Sequence, residues 1–502
     1  MIEIRSIEDI TALRESCALE CKLAAGRDGK GAVPEDFWPT YSAFANTSGG
    51  VVLLGVRESR KGFELAGIGN PDKVRADLFN DLNNRQKVSI NLLTDSAVRE
   101  LRINDATIMV IDIPRASRMQ RPVHLTRNPL NGNTYRRLNE GDRALPDEDV
   151  KRMLAEQVED SRDARILPGF DMGDLDTDSL KAYRNIFRAD KPDHPWLALD
   201  DRDFLRMLGG WRHDRGTNES GLTVAGLLMF GLWPSIAEAL PFYFVDYQER
   251  PADYAVTVSW LDRITPDGRW SGNVFDFYRR VVTKLTADIK VPFTLRGNVR
   301  QDDTPTHKAL REALVNTLVH ADYTGRLSVQ VIKDPAGFTF RNPGVLRIPA
   351  EQAMHGGLSD CRNRAMQQMF LMIGLGERAG SGMARIIQGW KDPGHGLALH
   401  EHYDPQEYTV LEMRWAGSRA AKSSPERSPE RSPEREPRTE ERILRMLRET
   451  PTMTTQTLGD RLGIGKRAVL KQINKLKTQN RLRRIGPNKG GSWEVMETRH
   501  DG

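Results

Sequence analysis

Apolar residues alternate with polar ones in "ALECKL" (18–23), which predicts a half-buried strand, and the apolar, β-branched "TIMVIDI" (107–113) predicts a further strand. "GGVVLLGV" (49–56) is apolar throughout between glycines, the pattern of a strand covered on both faces. With a helix start at "IEDITALRE" (7–15), residues 1–155 read as an α+β unit. Residues 156–300 alternate helix-like and strand-like stretches, with Trp and Pro at turns such as "KPDHPW" and "LWPSI". The period lengthens in "HKALREALVNTLVHADY" (307–323), which predicts a helix followed by the strands "LSVQVIKD" and "GFTFRN" and then glycine-rich loops, all within 301–416.

At 100° per residue, Leu310, Leu314 and Leu318 form one ridge of that helix. Glu312, Asn316 and His320 form another on roughly the opposite side, and taken alone this second ridge is expected to face water. Beyond residue 416 the pattern breaks. "SSPERSPERSPEREPR" (423–438) repeats Ser-Pro-Glu-Arg three times, and prolines at every fourth position remove helix donors, so 417–438 reads as a flexible linker. The remainder, 439–502, predicts three helices followed by two strands around a Gly/Pro/Asn turn. Its apolar set is Ile443, Leu444, Leu447, Leu458, Leu462, Val469, Ile473 and Leu476.

Composition changes this picture in two places. The longest apolar run, "LTVAGLLMFGLW" (222–233), is too short to span a bilayer and predicts a buried element instead, with no membrane partner. The N-terminal "MIEIRSIEDI" lacks the basic start and apolar stretch of a secretory leader. Three cysteines lack both disulfide and zinc spacing, so a cytoplasmic location is expected. The net charge of +5 is unevenly spread: residues 438–489 carry fourteen Lys and Arg against four Asp and Glu, leaving the rest net acidic. A polyanion partner is therefore sought in the C-terminal unit.

Three motifs carry chemistry. Glu312 and Asn316 share a helix face at i and i+4; "FRNPGVL" (340–346) sets an amide, a proline and a glycine after a strand; "GLGERAGSGMARI" (374–386) runs a glycine-rich loop into a helix, where backbone N–H groups can meet phosphate. This ordered set resembles a divergent branch of the gyrase, chaperone and histidine-kinase (GHKL) ATPase superfamily, an α/β sandwich. The resemblance implies ATP and Mg²⁺ as ligands, Glu312 as the base of ATP hydrolysis and Asn316 as the metal ligand. It implies Asn342 and Gly344 as a first glycine box, and Glu377, Gly380, Ser381 and Gly382 as a second. Asn342 stands where that superfamily usually has an adenine-reading Asp, and the short lid favours binding over fast turnover. No Gly-x-x-x-x-Gly-Lys-Ser/Thr occurs, which argues against a P-loop helicase, although relatives are often labelled helicase-related.

In "ESCALECKLAAG" (15–26), Glu15 lies five residues before Glu20, and Glu20 and Lys22 share one strand face. With "AFANTSGG" (43–50), this resembles the AlbA-like domain of Schlafen proteins over roughly 8–140. Some of these use two such glutamates and an Asp before the Gly-Gly pair to cut structured RNA, which would make Glu15, Glu20 and Lys22 a nuclease site. Ser48 replaces that Asp here, so nucleic-acid binding, RNA included, is expected over cleavage, unless Glu35 or Asp36 supplies the missing charge. The C-terminal unit resembles a winged helix-turn-helix, which implies DNA contacts by Lys466, Arg467, Lys471 and Lys475 on the third helix and by Arg483, Arg484 and Lys489 around the wing. His400 and His402 in "LHEHYD" read as a polar loop.

The expected architecture is multidomain α+β: 1–155 AlbA-like, 156–300 connecting, 301–416 GHKL-like, 417–438 linker and 439–502 winged helix. The expected function is a bacterial-type, ATP-binding, DNA-binding regulator of transcription, compatible with self-association into a homo-oligomer. The alternative is a metal-dependent ribonuclease cutting tRNA or rRNA in phage defence.

Overall fold

The computed structural model describes residues 19–417, apart from 27–28, 60–61, 139–140, 159–161, 253, 255–258, 290–294, 297–298, 301–302 and 377–379, and scattered parts of 443–496. The chain divides into two compact units, 1–419 and 420–502.

The predicted strands form as the alternation requires. β1 (Leu19–Lys22) pairs in parallel with β2 (Gly50–Leu54) after helix α1 (Phe37–Asn46). With β3 (Val98–Ile103) and β4 (Ala106–Ile113) they form a four-stranded sheet in the order β1-β2-β4-β3. Val52 and Leu54 of β2 pack with Phe37, Tyr41 and Phe44 of α1 in one cluster, while Val51 and Leu53 join Leu19 and Cys21 of β1 in another. Glu20 and Lys22 therefore share the opposite face of β1. A hairpin of β5 (Tyr135–Leu138) and β6 (Gly141–Ala144) lies along α1 and leads into α2 (Asp147–Val158).

The boundary expected at residue 300 falls inside a shared sheet and core. β7 (Val245–Glu249) and β8 (Asp262–Ile264) precede it; β9 (Val329–Asp334), β10 (Gly337–Pro343), β11 (Gly396–His402) and β12 (Tyr408–Arg414) follow. All six form one sheet, ordered β8-β7-β9-β10-β12-β11 and antiparallel except for β7 on β9. One apolar core runs from Leu167 to Met413, so neither half could bury its apolar surface alone. The run at 222–233 is a core helix, α3 (Val224–Phe230), with every residue buried. His400 and His402 lie on β11, the sheet's edge strand, not in a loop; His402 stacks on Tyr408 at 4.4 Å, which gives it an aromatic partner in the ladder.

In the second unit, Ile443, Leu444, Leu447, Leu458, Ile473 and Leu476 share a core with Met453 and Leu482, as the helical spacing predicts. Leu462 and Val469 lie outside the described residues. β13 (Leu482–Ile485) and β14 (Ser492–Val495) pair as the antiparallel hairpin expected after the third helical stretch.

Candidate functional site

The helix that carries Glu312 and Asn316 is α4 (Pro305–His320), with Pro305 in its first turn and Thr304 Oγ1 accepting from His307 N at 3.3 Å. Its polar ridge is not wet. Glu312 is 5% exposed, because helix α5 (Gly382–Gly389) lies directly on it. Glycines seven residues apart on α5 allow that approach. A Cβ on Gly382 would stand 2.5 Å from Glu312 Oε1 and 2.9 Å from Asn316 Nδ2, and one on Gly389 would stand 2.4 Å from the Pro305 carbonyl. The ridge, which its period alone would leave in water and the downstream glycine motifs turn inward, is covered at Glu312, while Asn316 and His320 are half-buried.

Beside this contact is a cavity of about 110 Å³. Asn316, Thr317 and His320 of α4 form one side, and Asn342 of β10 with Thr409, its register partner on β12, form another. Gly380 and Gly382 border it, and Leu346, Ile348, Met383, Ile386, Leu399 and Leu411 give it apolar walls. Among the described residues that line it, Asp360 is the one carboxylate and Arg347 the one guanidinium. The fold thus brings Asn316, Asn342, Gly380 and Gly382 together as the motifs suggest. Glu312 instead lines an adjoining groove of about 590 Å³ with Lys308, Arg311 and Arg385.

Two sequence candidates stand elsewhere. Gly344 has φ +85°, and a Cβ there would meet Arg362 Nη1 at 2.8 Å, so this glycine admits a buried arginine rather than a ligand. Ser381 is the N-cap of α5 and its side chain makes no capping hydrogen bond. Glu377 lies outside the described residues. Sequence reading missed Arg347, Asp360 and Thr409; only Thr409 had a signal, its place on a strand paired with "FRN".

The electrostatics of the cavity are unsettled. Burial raises the Glu312 carboxyl, against the Arg385 guanidinium 4.0 Å away and a hydrogen bond with Asn316, and Oε1 has no hydrogen-bond partner. Burial, helped by Arg362 and Arg347, pushes His320 down to about 4, so it stays neutral at physiological pH. Burial brings Arg347 down to about 10; its Nε and Nη2 have no hydrogen-bond partner, nor does Asp360 Oδ1, which lies 3.5 Å from Arg347 Nη1 and 3.6 Å from Arg364 Nη2. Glu312 and Asn316 together offer only a partial oxygen shell. That suits a Mg²⁺ that keeps waters and arrives on phosphate, not one caged by protein.

The N-terminal candidates behave oppositely. Lys22 Nζ lies 3.3 Å from Glu20 Oε1 and 3.0 Å from Asp36 Oδ2. Glu20 Oε2 accepts from Arg137 Nη2 at 2.7 Å, and Arg137 Nη1 donates to Asp142 Oδ1 at 2.9 Å. Thr40 Oγ1 donates to the other Asp142 oxygen at 2.6 Å. Asp36 thus joins the cluster, as the sequence left open, while Glu35 pairs with Lys87 at 3.4 Å. Ser48 is exposed and hydrogen-bonds Tyr403, and Glu15 lies outside the described residues. Among the described residues no three metal-ligating side chains cluster as an ion site. Of the predicted DNA contacts, Arg483 and Arg484 lie on β13, Arg484 over the Trp493 ring at 4.6 Å, and Lys466, Arg467, Lys471, Lys475 and Lys489 lie outside the described residues.

No helix among the described residues is long and apolar enough to cross a membrane. No curated protein matches the chain. A Corynebacterium diphtheriae structure, that of the DIP2311 protein, aligns over 96% of this chain and 92% of its own at 17% identity and a TM-score of 0.38. The N-terminal domain of a Nitrosomonas europaea protein, named as related to the ATP-dependent DNA helicase RecG, aligns over 28% of this chain and 93% of its own at 27% identity and a TM-score of 0.22. Residues 151–246 match a domain of unknown function, DUF8451. Residues 15–146 match the family model described as Schlafen, AlbA_2, so the AlbA-like reading of the N-terminal region holds.

Proposed function

We propose that the chain is a nucleotide-responsive nucleic-acid-binding protein, with a purine nucleotide seated between α4, β10, β12 and the Gly380–Gly382 turn. The observation that carries the reading is the convergence of Asn316, Asn342, Gly380 and Gly382 on one cavity at which Arg347 Nε and Nη2 and Asp360 Oδ1 are buried without a hydrogen-bond partner. Unsatisfied buried polar atoms are rare in folded proteins and call for a water, an ion or a ligand. The apolar walls suit the faces of a base, and a glycine turn leading into the N-terminus of α5 suits phosphate. The AlbA_2 match gives the N-terminal region a nucleic-acid role, and the basic C-terminal unit supplies DNA contacts in the same reading.

Titration of the full chain with ATP and Mg²⁺ tests it. Saturable binding that Asn316→Ala weakens supports the nucleotide site, and absence of binding rejects it. Turnover by wild type and Glu312→Ala then separates hydrolysis from binding alone. For the C-terminal unit, removing 423–502 should weaken DNA affinity and flatten its salt dependence, because each neutralised phosphate contributes a slope of about 0.9. The ribonuclease reading draws on the ion-pair network in which Lys22 links Glu20 to Asp36 and Arg137 links Glu20 to Asp142. It requires tRNA cleavage with Mn²⁺ or Mg²⁺ that Glu20→Ala abolishes.

A further inference from the structure

The wall of the central cavity is held from outside by the N-terminal region. Arg118, 7% exposed, donates from Nε to Asp360 Oδ2 at 3.0 Å and from Nη1 to the Glu156 carbonyl at 2.6 Å. Asp360 lines the cavity, and its other oxygen is buried without a hydrogen-bond partner, 3.5 Å from Arg347 Nη1. Next to it, Arg115 donates to the Leu346 carbonyl at 2.5 Å and pairs with Glu401 at 2.6 Å, while Leu346 N donates to Glu401 at 2.8 Å. Leu346 also lines the cavity.

A carboxylate is a pure acceptor, and in a dry wall it selects a ligand that presents N–H groups to it. The first box offers an amide at Asn342, which both donates and accepts and so discriminates less. Asp360 is the charged acceptor among the described residues that line the cavity; its side chain is 20% exposed with Oδ1 buried, and the donors that grip it set its orientation. Arg118 is the closest of these, its bond to Asp360 being shorter than the 3.5 Å from Arg347 and the 3.6 Å from Arg364.

We propose that Asp360 reads the amino group of an amino-bearing purine, and that Arg118, from the AlbA-like region, is the positioning residue that aims it. The proposal rests on the nucleotide reading above. It makes base selectivity of the central cavity depend on a residue more than two hundred positions earlier in the chain, in a segment that by sequence belongs to a different domain.

The test compares binding of ATP and of inosine triphosphate, which has an oxo group where adenine has its amino group, to the full chain with Mg²⁺. Wild type is expected to favour ATP by roughly tenfold, the effect of one charge-assisted hydrogen bond. In the near-isosteric Asp360→Asn and in Arg118→Met the ratio should fall toward one, and Arg118→Lys should restore part of it. Asp360→Asn leaves the packing intact, so it answers the question even if Arg118→Met folds poorly. A structural role alone would lower stability and leave the ratio untouched. The double variant should lose no more selectivity than either single one, because both act on one contact.

Wild type that binds neither nucleotide overturns the nucleotide reading and this proposal with it. Wild type that binds both with an unchanged ratio in Asp360→Asn and Arg118→Met overturns the proposal alone. The proposal is equally overturned if Asn342→Ala collapses the ratio and Asp360→Asn does not.

Discussion

The cluster around Glu20 and the cavity beside α4 contain similar residues and are in opposite electrostatic states. Around Glu20, both carboxylate oxygens, the Lys22 ammonium and two of the Arg137 nitrogens are engaged within the protein. Around the cavity, Glu312 Oε1, Asp360 Oδ1 and two Arg347 nitrogens are buried with no hydrogen-bond partner. The first network is nearly closed, with Arg137 Nε left without a partner, and such a network gives specificity to the fold; a more incomplete one is destabilising until something completes it. The contrast teaches where a ligand would contribute most: at the cavity it supplies missing partners, whereas at the Glu20 cluster it must first break ion pairs that already exist.

The clasp between these regions gives the largest expected effect. The Arg115 and Glu401 side chains are 6% and 7% exposed, and Glu401→Ala would leave Arg115 buried with the Leu346 carbonyl and the fields of Tyr403 and Glu407, and Leu346 N without its acceptor. Losing one member of such a pair costs about 3–5 kcal/mol. Denaturant unfolding should register it as a lowered midpoint. A loss under about 1 kcal/mol would mean that the two regions are held together elsewhere.

Acid should act on the cavity next. His320 is held down to about 4, against an ordinary 6.5 in the unfolded chain, by burial and by Arg362 and Arg347. Between those values the unfolded chain takes up a proton that the native state refuses, so stability falls as pH drops from 6.5 towards 4. Unfolding midpoints at pH 7 and pH 5 should differ, and His320→Gln should reduce the difference. His124, His307 and His402 are also depressed by burial and should account for a residual slope. An undiminished slope in His320→Gln would place the acid-sensitive group elsewhere.

Glu20→Ala sharpens the contrast more directly. Arg137 keeps Asp142 and Lys22 keeps Asp36, so the loss should be about 1.5–3 kcal/mol, the range of a hydrogen bond to a charged group, with ATP affinity unchanged. A Glu20→Ala protein with altered ATP affinity would show that the two sites are not independent. A strand gives such linkage a physical route: Arg137 of β5 faces the Glu20 cluster, while its neighbour Arg136 pairs with Glu407 and lies over the Tyr403 ring.

What the sequence made legible follows from the range of each signal. Period-2 and apolar runs placed β1, β2, β4, β9 and β10, because a strand's two faces are written in its own residues. The motifs likewise placed Asn316, Asn342, Gly380 and Gly382 around one cavity. The partners of those residues were not legible. Nothing near "LSDCRN" announces that Asp360 will sit in a cavity wall or meet Arg118, since that contact spans 242 positions. Nor could the period of α4 show that Gly382 and Gly389 let α5 seal its polar ridge. The shared sheet was missed for the same reason: β7 and β9 are parallel partners separated by a long crossover, and the boundary expected at 300 falls between them.

Asp36 gives the smallest effect and divides the two views of the N-terminal cluster. Its side chain is 69% exposed, while Lys22, its partner at 3.0 Å, is 7% exposed and retains Glu20 at 3.3 Å. Water therefore already solvates the Asp36 carboxylate, and removing it leaves the ammonium with an acceptor. Asp36→Ala should cost less than about 1 kcal/mol by denaturant unfolding, the range of an exposed pair. A loss above about 2 kcal/mol would require Asp36 to be desolvated in solution, drawn inward beside Glu20 and Asp142. Three carboxylates at that depth would repel one another unless a cation sat among them. The same variant measured with and without Mn²⁺ would then show it, because an ion bound only by the folded cluster stabilises wild type and not Asp36→Ala. Equal midpoints with and without the ion in both proteins would leave Lys22 and Arg137 as the cations that occupy this face.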